Sequence, residues 1–496
     1  VELMTASPET ELFPVERDRK LRFIIPGVVA MGFTLEGLDS TIITTAIPTM
    51  ARSLQTTPLL MNLAVTTYVL VLAVFIPISG WLADRFGTRR IFASALITFS
   101  LGSILCGLST NLPLLVGARA LQGLGGAMMT PVGRLILLRS FPRDQYVAAM
   151  TYMTLPAVIG PVLGPLLGGA LTTYASWRWA FFINIPFGLV GALLALRFIP
   201  KDRGAPRAAF DLTGFLLFGL GVGALQYALE AIGKSVASQS IVLILLLASV
   251  ALFAGFAVHA RRTATPAVDF GLFRDGAFRT GSLAGGLCRI GMNATPFLLP
   301  LLLQLGFGAT PIQSGLITFT GVFGAVSTRV LLPRLLRALG YDRTLAATSL
   351  CCALILAGFA LIERQTPLWL LVPYVIIFGV VRALQFMGSN TLTYADLPPE
   401  KLSAATSLGG MMQQLSVSFG VSLGAALLGL ITGPQHILTV GAFHTVFLIL
   451  ALLPIVTAPF FLWLDPATGV RVSRHIRAPS AAELRQNLRR GSDTAK

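Results

Sequence analysis

Residues 59–110 read LLMNLAVTTYVLVLAVFIPISGWLADRFGTRRIFASALITFSLGSILCGLST. Two apolar runs, 59–82 and 91–110, flank a short turn that carries Asp84, Arg85, Arg89 and Arg90. A helix rises about 1.5 Å per residue, so a run of about 20 residues crosses a hydrocarbon core of roughly 30 Å. A charged turn between two such runs marks a place where a chain leaves a membrane and re-enters it.

The same pattern extends in both directions. Apolar windows interrupted by Gly, Pro and charge fall near 23–47, 59–82, 91–110, 112–138, 147–174, 179–199, 212–233, 239–260, 280–306, 313–336, 343–363, 368–392, 402–432 and 440–464. They predict an all-α membrane protein of about 14 transmembrane helices with both termini on one side. Composition agrees. Hydrophobic residues make up 54% of the chain, charged residues 12%, and mean hydropathy is +0.78, whereas soluble domains are about 25% charged.

The net charge of +16 would suit a nucleic-acid binder only if the basic residues clustered among aromatics. They lie between the apolar windows instead, which sets nucleic acid aside and points to membrane orientation. With the amino terminus in the cytoplasm, about 28 Lys and Arg fall in cytoplasmic segments and about 4 (Arg52, Arg178, Lys234, Arg364) on the other side, as the positive-inside rule requires. Arg119, Arg134, Arg289, Arg329 and Arg382 remain within spans. Cys106, Cys288, Cys351 and Cys352 all fall inside spans and read as small core residues, not as a disulfide framework or a metal site. The first 20 residues are polar and lack a secretory signal's apolar core, so the first span is expected to direct insertion.

Longer cytoplasmic segments at 200–211 and 261–279 bracket spans seven and eight. The expected organisation is therefore a cytoplasmic segment 1–22, a six-helix bundle 23–199, a two-helix insert with linkers 200–279, a second six-helix bundle 280–464 and a basic tail 465–496. The tail's arginines suit anionic lipid headgroups or serve only as a topology signal.

Ionisable groups inside a membrane are costly unless they face a cavity or a partner. Glu36 and Asp39 stand three residues apart on the first span and share nearly one face. Helical rise puts Asp39 roughly 13 Å from the far end of its span and Arg119 about 10 Å from that of the fourth. If the two helices are neighbours, Arg119 meets Asp39. Such a pair can switch proton affinity when it moves, or it can be a static ion pair that fixes packing. On the fifth span, Gly160, Gly164 and Gly168 recur every four residues and leave one face without side chains. Gly169 follows them, and Pro161 and Pro165 each remove a backbone donor and bend the helix; packing alone also accounts for this motif. The turn from Gly80 to Arg90 reads either as a topology signal or as a charge latch built on Gly80, Asp84, Arg85, Gly87, Arg89 and Arg90.

In the second half, Arg289 and Arg382 lie at similar depth, with Asn293, Gln385 and Asn390 near them in sequence. They form a candidate substrate patch suited to carboxylates, or they hydrogen-bond structurally to those neighbours. Phe297, Phe386 and Met387 are candidates for an adaptable apolar wall. Glu230 precedes Lys234 by four residues and reads as half of an interfacial pair.

Together these motifs resemble the major facilitator superfamily and, within it, the fourteen-helix drug:proton antiporters. Gly80 to Arg90 is similar to that superfamily's signature loop, and Leu38 to Ile43 with Ala46-Ile47-Pro48 to the first-helix motif of the fourteen-helix group. Arg119-Ala120-Leu121-Gln122-Gly123 resembles the fourth-helix arginine motif, and Gly160 to Gly169 the antiporter signature. Trp177-Arg178-Trp179 with Phe182-Ile183-Asn184-Ile185-Pro186 completes the set. The resemblance implies the major facilitator fold, with a substrate site between two bundles near the midplane. It also implies proton coupling at Asp39, modulation by Arg119 and a conformational latch at Asp84; Glu36 rests on geometry alone. Where a second signature loop would fall, Arg337 stands in place of the acid, so the latch is expected on one side only.

The expected function is export of drugs or other amphiphilic small molecules across the bacterial inner membrane, driven by protons, with membrane lipids as solvent and one chain as the working unit. Export of an anionic metabolite or metal chelate is an alternative, and a non-transporting sensor or assembly partner is another. No enzyme activity, cofactor or metal is expected: the sequence has no Gly-x-x-x-x-Gly-Lys-Ser/Thr loop or zinc spacing.

Overall fold

The computed structural model describes residues 20–141, 146–201, 210–232, 238–263, 266, 268–398, 401–433, 438–465 and 468. The expected segment 1–22 and the basic tail therefore lie almost wholly outside the described residues. Among the described residues every regular element is helical.

The first half contains α1 (Leu21–Ile42), α2 (Ile47–Ser53), α3 (Asn62–Phe86), α4 (Thr88–Leu108), α5 (Leu112–Ser140), α6 (Tyr146–Tyr174), α7 (Trp179–Phe182) and α8 (Asn184–Phe198). Then come α9 (Leu212–Ala231) and α10 (Gln239–Arg262). The second half contains α11 (Gly276–Asn293), α12 (Thr295–Leu301), α13 (Pro311–Thr320), α14 (Phe323–Gly358), α15 (Leu368–Tyr394), α16 (Leu402–Thr432) and α17 (Val440–Leu462). Polar residues start many of them. The side chains of Asn111, Asp211, Ser238, Asp275, Thr310 and Thr439 each accept a hydrogen bond from a backbone N–H in the turn that follows, the role of an N-cap.

Two expected spans are interrupted at a proline. The first ends at Ile42, not 47, and the chain turns before α2, which carries Pro48 in its first turn. Proline has no N–H to continue the ladder and its ring clashes with the preceding turn. Pro296 acts likewise at the start of α12, dividing the expected 280–306 span at Ala294 before a π-turn, Leu302–Gly306, closes it. The expected boundary between 313–336 and 343–363 falls within α14 at Gly340, whose φ of 78° breaks the helix into two halves, a conformation that glycine adopts without steric cost.

Eleven helical segments among the described residues are long and apolar enough to cross a membrane, so the count of fourteen is not confirmed by that measure. Leu112–Ser140 is a helix outside that set; its arginines and glycines dilute its hydropathy. The outward surfaces suit lipid. Leu243, Ile244, Leu247 and Val250 of α10 are each more than half exposed, and that helix buries only Ser249 and Phe256. An apolar surface of this extent is not left to water.

Packing divides the helices into a first group, α1 to α8, and a second, α11 to α17; α9 and α10 pack on each other, with α9 lying against both α3 and α16. One end of the assembly carries Arg85, Arg89, Arg90, Arg139, Arg262 and Arg279 at helix termini, and is the basic face. At the opposite end one buried apolar cluster joins both groups, from Ile43, Met50 and Phe181 to Leu298, Leu302 and Phe443. Towards the basic face the core divides into smaller clusters, one of which, with Ala73, Phe218, Phe256 and Leu408, still bridges α3, the insert and α16. Phe92, Met129 and Ile136 belong to one cluster, Leu336, Leu345 and Phe461 to another. Hydrogen bonds between the groups follow the same distribution. Gln304 Nε2 donates to the Thr45 carbonyl (2.9 Å), the Ile312 N–H to Thr173 Oγ1 (3.2 Å) and Ser418 Oγ to the Thr66 carbonyl (3.3 Å). The groups are sealed together at the end away from the arginines.

Candidate functional site

The glycine face of α6 lies against α1. A Cβ on Gly160, Gly164 or Gly168 would collide with Thr34, Thr41 or Ile42 respectively, so backbone approaches backbone there. Pro165 cannot donate to the Pro161 carbonyl, and Thr41 Oγ1 supplies a donor to that oxygen at 3.4 Å. Gly169 and Pro165 approach Pro311 and Gly315 of α13, so the same helix also contacts the second group.

This packing leaves Asp39 facing α5. Both Asp39 and Arg119 are fully buried, and Arg119 Nη1 donates to Asp39 Oδ2 at 2.5 Å. The other carboxylate oxygen accepts from Gln122 Nε2 (2.7 Å) and Asn184 Nδ2 (3.1 Å). Arg119 also donates through Nη1 to Gln122 Oε1 (2.7 Å) and through Nε to the Ala64 carbonyl (2.8 Å), and its guanidinium lies 4.1 Å from the centre of the Tyr68 ring. Ser103 Oγ accepts from both Gln122 (2.7 Å) and Asn184 (3.1 Å). Five helices thus converge on one ion pair. Removing one partner from a buried pair of this kind costs about 3–5 kcal/mol.

Glu36, one turn along α1, is in a different setting. It is half-buried and accepts from Thr130 Oγ1 at 2.5 Å, and Arg134, one turn beyond Thr130, is exposed. The two carboxylates of one helix face are therefore unequal: Asp39 is fully buried and Glu36 half-buried.

At the basic face Arg139 Nη2 donates to Asp84 Oδ1, joining the ends of α3 and α5. Arg139 was not apparent from the sequence, because only tertiary packing brings the two helix ends together. Arg85 instead rests on Trp81 and Phe86, 5.4 and 5.9 Å from their ring centres. Arg89 is half-buried and Arg90 exposed. Gly87 (φ 88°) ends α3 and opens α4, while a Cβ on Gly80 would meet nothing within 4 Å.

In the second group, Arg289 is 3% exposed, its Nε finds no hydrogen-bond partner among the described residues, and its guanidinium lies 5.8 Å from the Phe386 ring centre. Arg382 Nη2 donates to Asn293 Oδ1 at 3.3 Å, and Asn293 Nδ2 has no partner. Gln385 is fully buried between α14 and α15, donating to Ser349 Oγ (3.0 Å) and accepting from Thr348 Oγ1. Asn390 is half-buried, Met387 exposed, and Phe297 fully buried in the shared core. Among the described residues no group of three His, Cys, Asp or Glu is placed to hold a metal.

Glu230 departs from its sequence reading. It is 4% exposed and not interfacial, because α9 turns it inward against α3 and α16. Asn62 Nδ2 donates to its Oε2 at 2.7 Å; Ser422 Oγ (2.5 Å) and Gln226 Nε2 (3.2 Å) donate to its Oε1. Lys234 lies outside the described residues. The signal that could have found this cluster was polar Asn62, Gln226 and Ser422 inside otherwise apolar spans.

The profile of the Major Facilitator Superfamily matches residues 29–421. MdtD of Pectobacterium atrosepticum, named for multidrug resistance, is 43% identical over 424 residues, covering 85% of this chain and 90% of the relative. MdtD of Escherichia coli O6:H1, which carries the same name, is 41% identical over 463 residues, covering 91% and 97%. Among solved structures, a bacterial homologue of the human lysosomal transporter Spinster, inward-facing and unoccupied, aligns with TM-score 0.61 at 15% identity over 93% of this chain and 100% of that one. An auto-inhibited peptide transporter of the POT family aligns with TM-score 0.65 at 15% identity, over 93% and 98%. Matched over most of its length by the family profile and by relatives at 41–43% identity, the chain belongs to the major facilitator superfamily and is a multi-pass membrane transporter, not an enzyme.

Proposed function

We propose that the protein is a proton-coupled antiporter of the bacterial inner membrane that exports drugs or other amphiphilic small molecules by alternating access. In this reading the bundles are 23–199 and 280–464, the insert is 200–279, one chain is the working unit, and the basic face with both termini is cytoplasmic. The fold described above is then open to the cytoplasm and sealed outside.

The observation that carries the reading is the pairing of one sealed and one accessible carboxylate on α1. Asp39 holds Arg119, Gln122 and Asn184 as a single network. A proton on Asp39 cancels the charge that Arg119 pairs with and leaves a guanidinium buried without a counter-ion. Such an arrangement is costly, so the network must rearrange, and the helices that carry it must move. Glu36, hydrogen-bonded to Thr130 on the cytoplasmic side of that network, is placed to exchange protons or meet substrate before Asp39 does.

The test is substrate-dependent proton movement in proteoliposomes. Export with proton exchange is expected in the native chain, and Asp39→Asn is expected to abolish the proton signal. Unchanged coupling in Asp39→Asn would remove the proposal.

A second reading, export of an anionic metabolite or metal chelate, is favoured by Arg289 and Arg382. Among the described residues neither guanidinium faces a carboxylate, and the Nε of Arg289 and the Nδ2 of Asn293 have donors to spare. Guanidinium donors match a carboxylate bidentately and repel a lipophilic cation. The same assay separates the readings when run with cationic dyes and with organic acids: transport confined to acids favours the second.

A further inference from the structure

We propose that Glu230 is the closing residue of the outer gate, a carboxylate supplied by the two-helix insert that clamps the first helix group to the second. The inference rests on the alternating-access reading and adds to it a part for the insert, α9 and α10.

Three observations carry it. Glu230 is buried at the end of α9 that lies away from the basic face, the end at which the two groups are sealed. Its two oxygens reach different groups: Oε2 accepts from Asn62 of α3, and Oε1 accepts from Ser422 of α16. Gln226, one turn earlier on α9, donates to both Glu230 Oε1 and Ser422 Oγ, so Ser422 accepts from one insert residue and donates to the other. Glu230 is the acceptor in the bonds from Asn62, Ser422 and Gln226, the part a carboxylate oxygen plays.

The geometry makes this cluster sensitive to conformation. Outward opening separates α3 from α16, and one carboxylate cannot follow both. At least one oxygen then loses its donor and is left to water. Between α3 and α16 the described residues add Ser418 Oγ donating to the Thr66 carbonyl at 3.3 Å, a longer contact than those Glu230 receives from Asn62 and Ser422. Further along α9, towards the basic face, the insert also packs on both groups: Phe218, Val222 and Phe256 with Ala73 of α3 and with Leu408, Met411 and Leu415 of α16. The insert therefore spans the junction of the two groups and does not merely decorate it.

The experiment reads the gate directly. Nitroxide labels are placed at Thr57→Cys and Thr439→Cys, both exposed at the sealed end, in the full-length chain carrying Cys351→Ser to remove the exposed native thiol. The distance distribution is measured by electron paramagnetic resonance in lipid nanodiscs. Glu230→Gln, which sets an amide donor among donors, and Ser422→Ala, which cuts the clamp from the other group, are each expected to raise the ratio of long to short distances about tenfold. Native distributions in both variants would overturn the proposal. If Glu230→Gln does not fold, Ser422→Ala decides alone. No substrate or proton gradient is used, so the outcome stands apart from that of the coupling assay.

Discussion

A guanidinium can hold the Asp39 carboxylate, the Gln122 amide oxygen and the Ala64 carbonyl while lying on the Tyr68 ring, because its donors spread in one rigid plane. A lysine ammonium carries the same charge as a single point. Arg119→Lys is therefore expected to keep the chain folded and to leave buried acceptors unmet at about 1–3 kcal/mol each, which slows export about tenfold or more. Initial export rates in proteoliposomes, measured beside a size-exclusion profile, check this; a native rate would show that charge alone suffices. The encounter of Asp39 with Arg119 was legible in the sequence, because helical rise gives the depth of each residue. Gln122 and Asn184 sit inside quoted motifs, yet their part in the network was not legible: an amide in an apolar span declares a need for partners without saying which. Arg139 and Glu230 were opaque for a related reason. Their partners, Asp84 and Asn62, are 55 and 168 residues away, and no periodicity links them.

At the scale of the element, hydropathy located the helices but not their interruptions. Lipid-facing helices are apolar on most sides, so the 3.6-residue periodicity that marks the ends and faces of soluble helices is weak. The breaks before Ile47 and at Ala294 come from missing backbone donors, chemistry that an apolar window averages away, whereas the break at Gly340 falls between two windows already read as separate. The glycine spacing of α6 did carry its meaning, since only a face without side chains lets α1 approach. Gly164→Val is expected to destabilise the chain by about 1–3 kcal/mol, the usual cost of overpacking, because its side chain would collide with Thr41. Gly27→Ala, where a Cβ meets nothing within 4 Å, is the matched control. Thermal unfolding of the two variants in detergent checks the difference, and equal midpoints would mean that the α1–α6 contact relaxes easily.

At the scale of the whole molecule, the buried apolar surface decides which way the protein faces. One core joins both groups at the far end, whereas towards the basic face each group has its own core and a smaller cluster bridges α3 and α16 through the insert, so the opening between the groups is expected from the basic face. Arg134 is the clearest reporter of that access: it is exposed on the helix face of Thr130, the donor to Glu36. Lysines and arginines collect on the cytoplasmic side of bacterial membrane proteins, so the proposed reading makes the basic face cytoplasmic. Arg134→Cys should react with a membrane-impermeant maleimide in inside-out vesicles and stay unlabelled in right-side-out vesicles. Labelling from the outside would reverse the assigned orientation, whatever the substrate proves to be. Reactivity from both sides would instead mean that the seal at the far end opens readily at rest. In that event the Glu230 clamp would have to be weak, and the distance distribution between Thr57 and Thr439 would already be broad in the native chain.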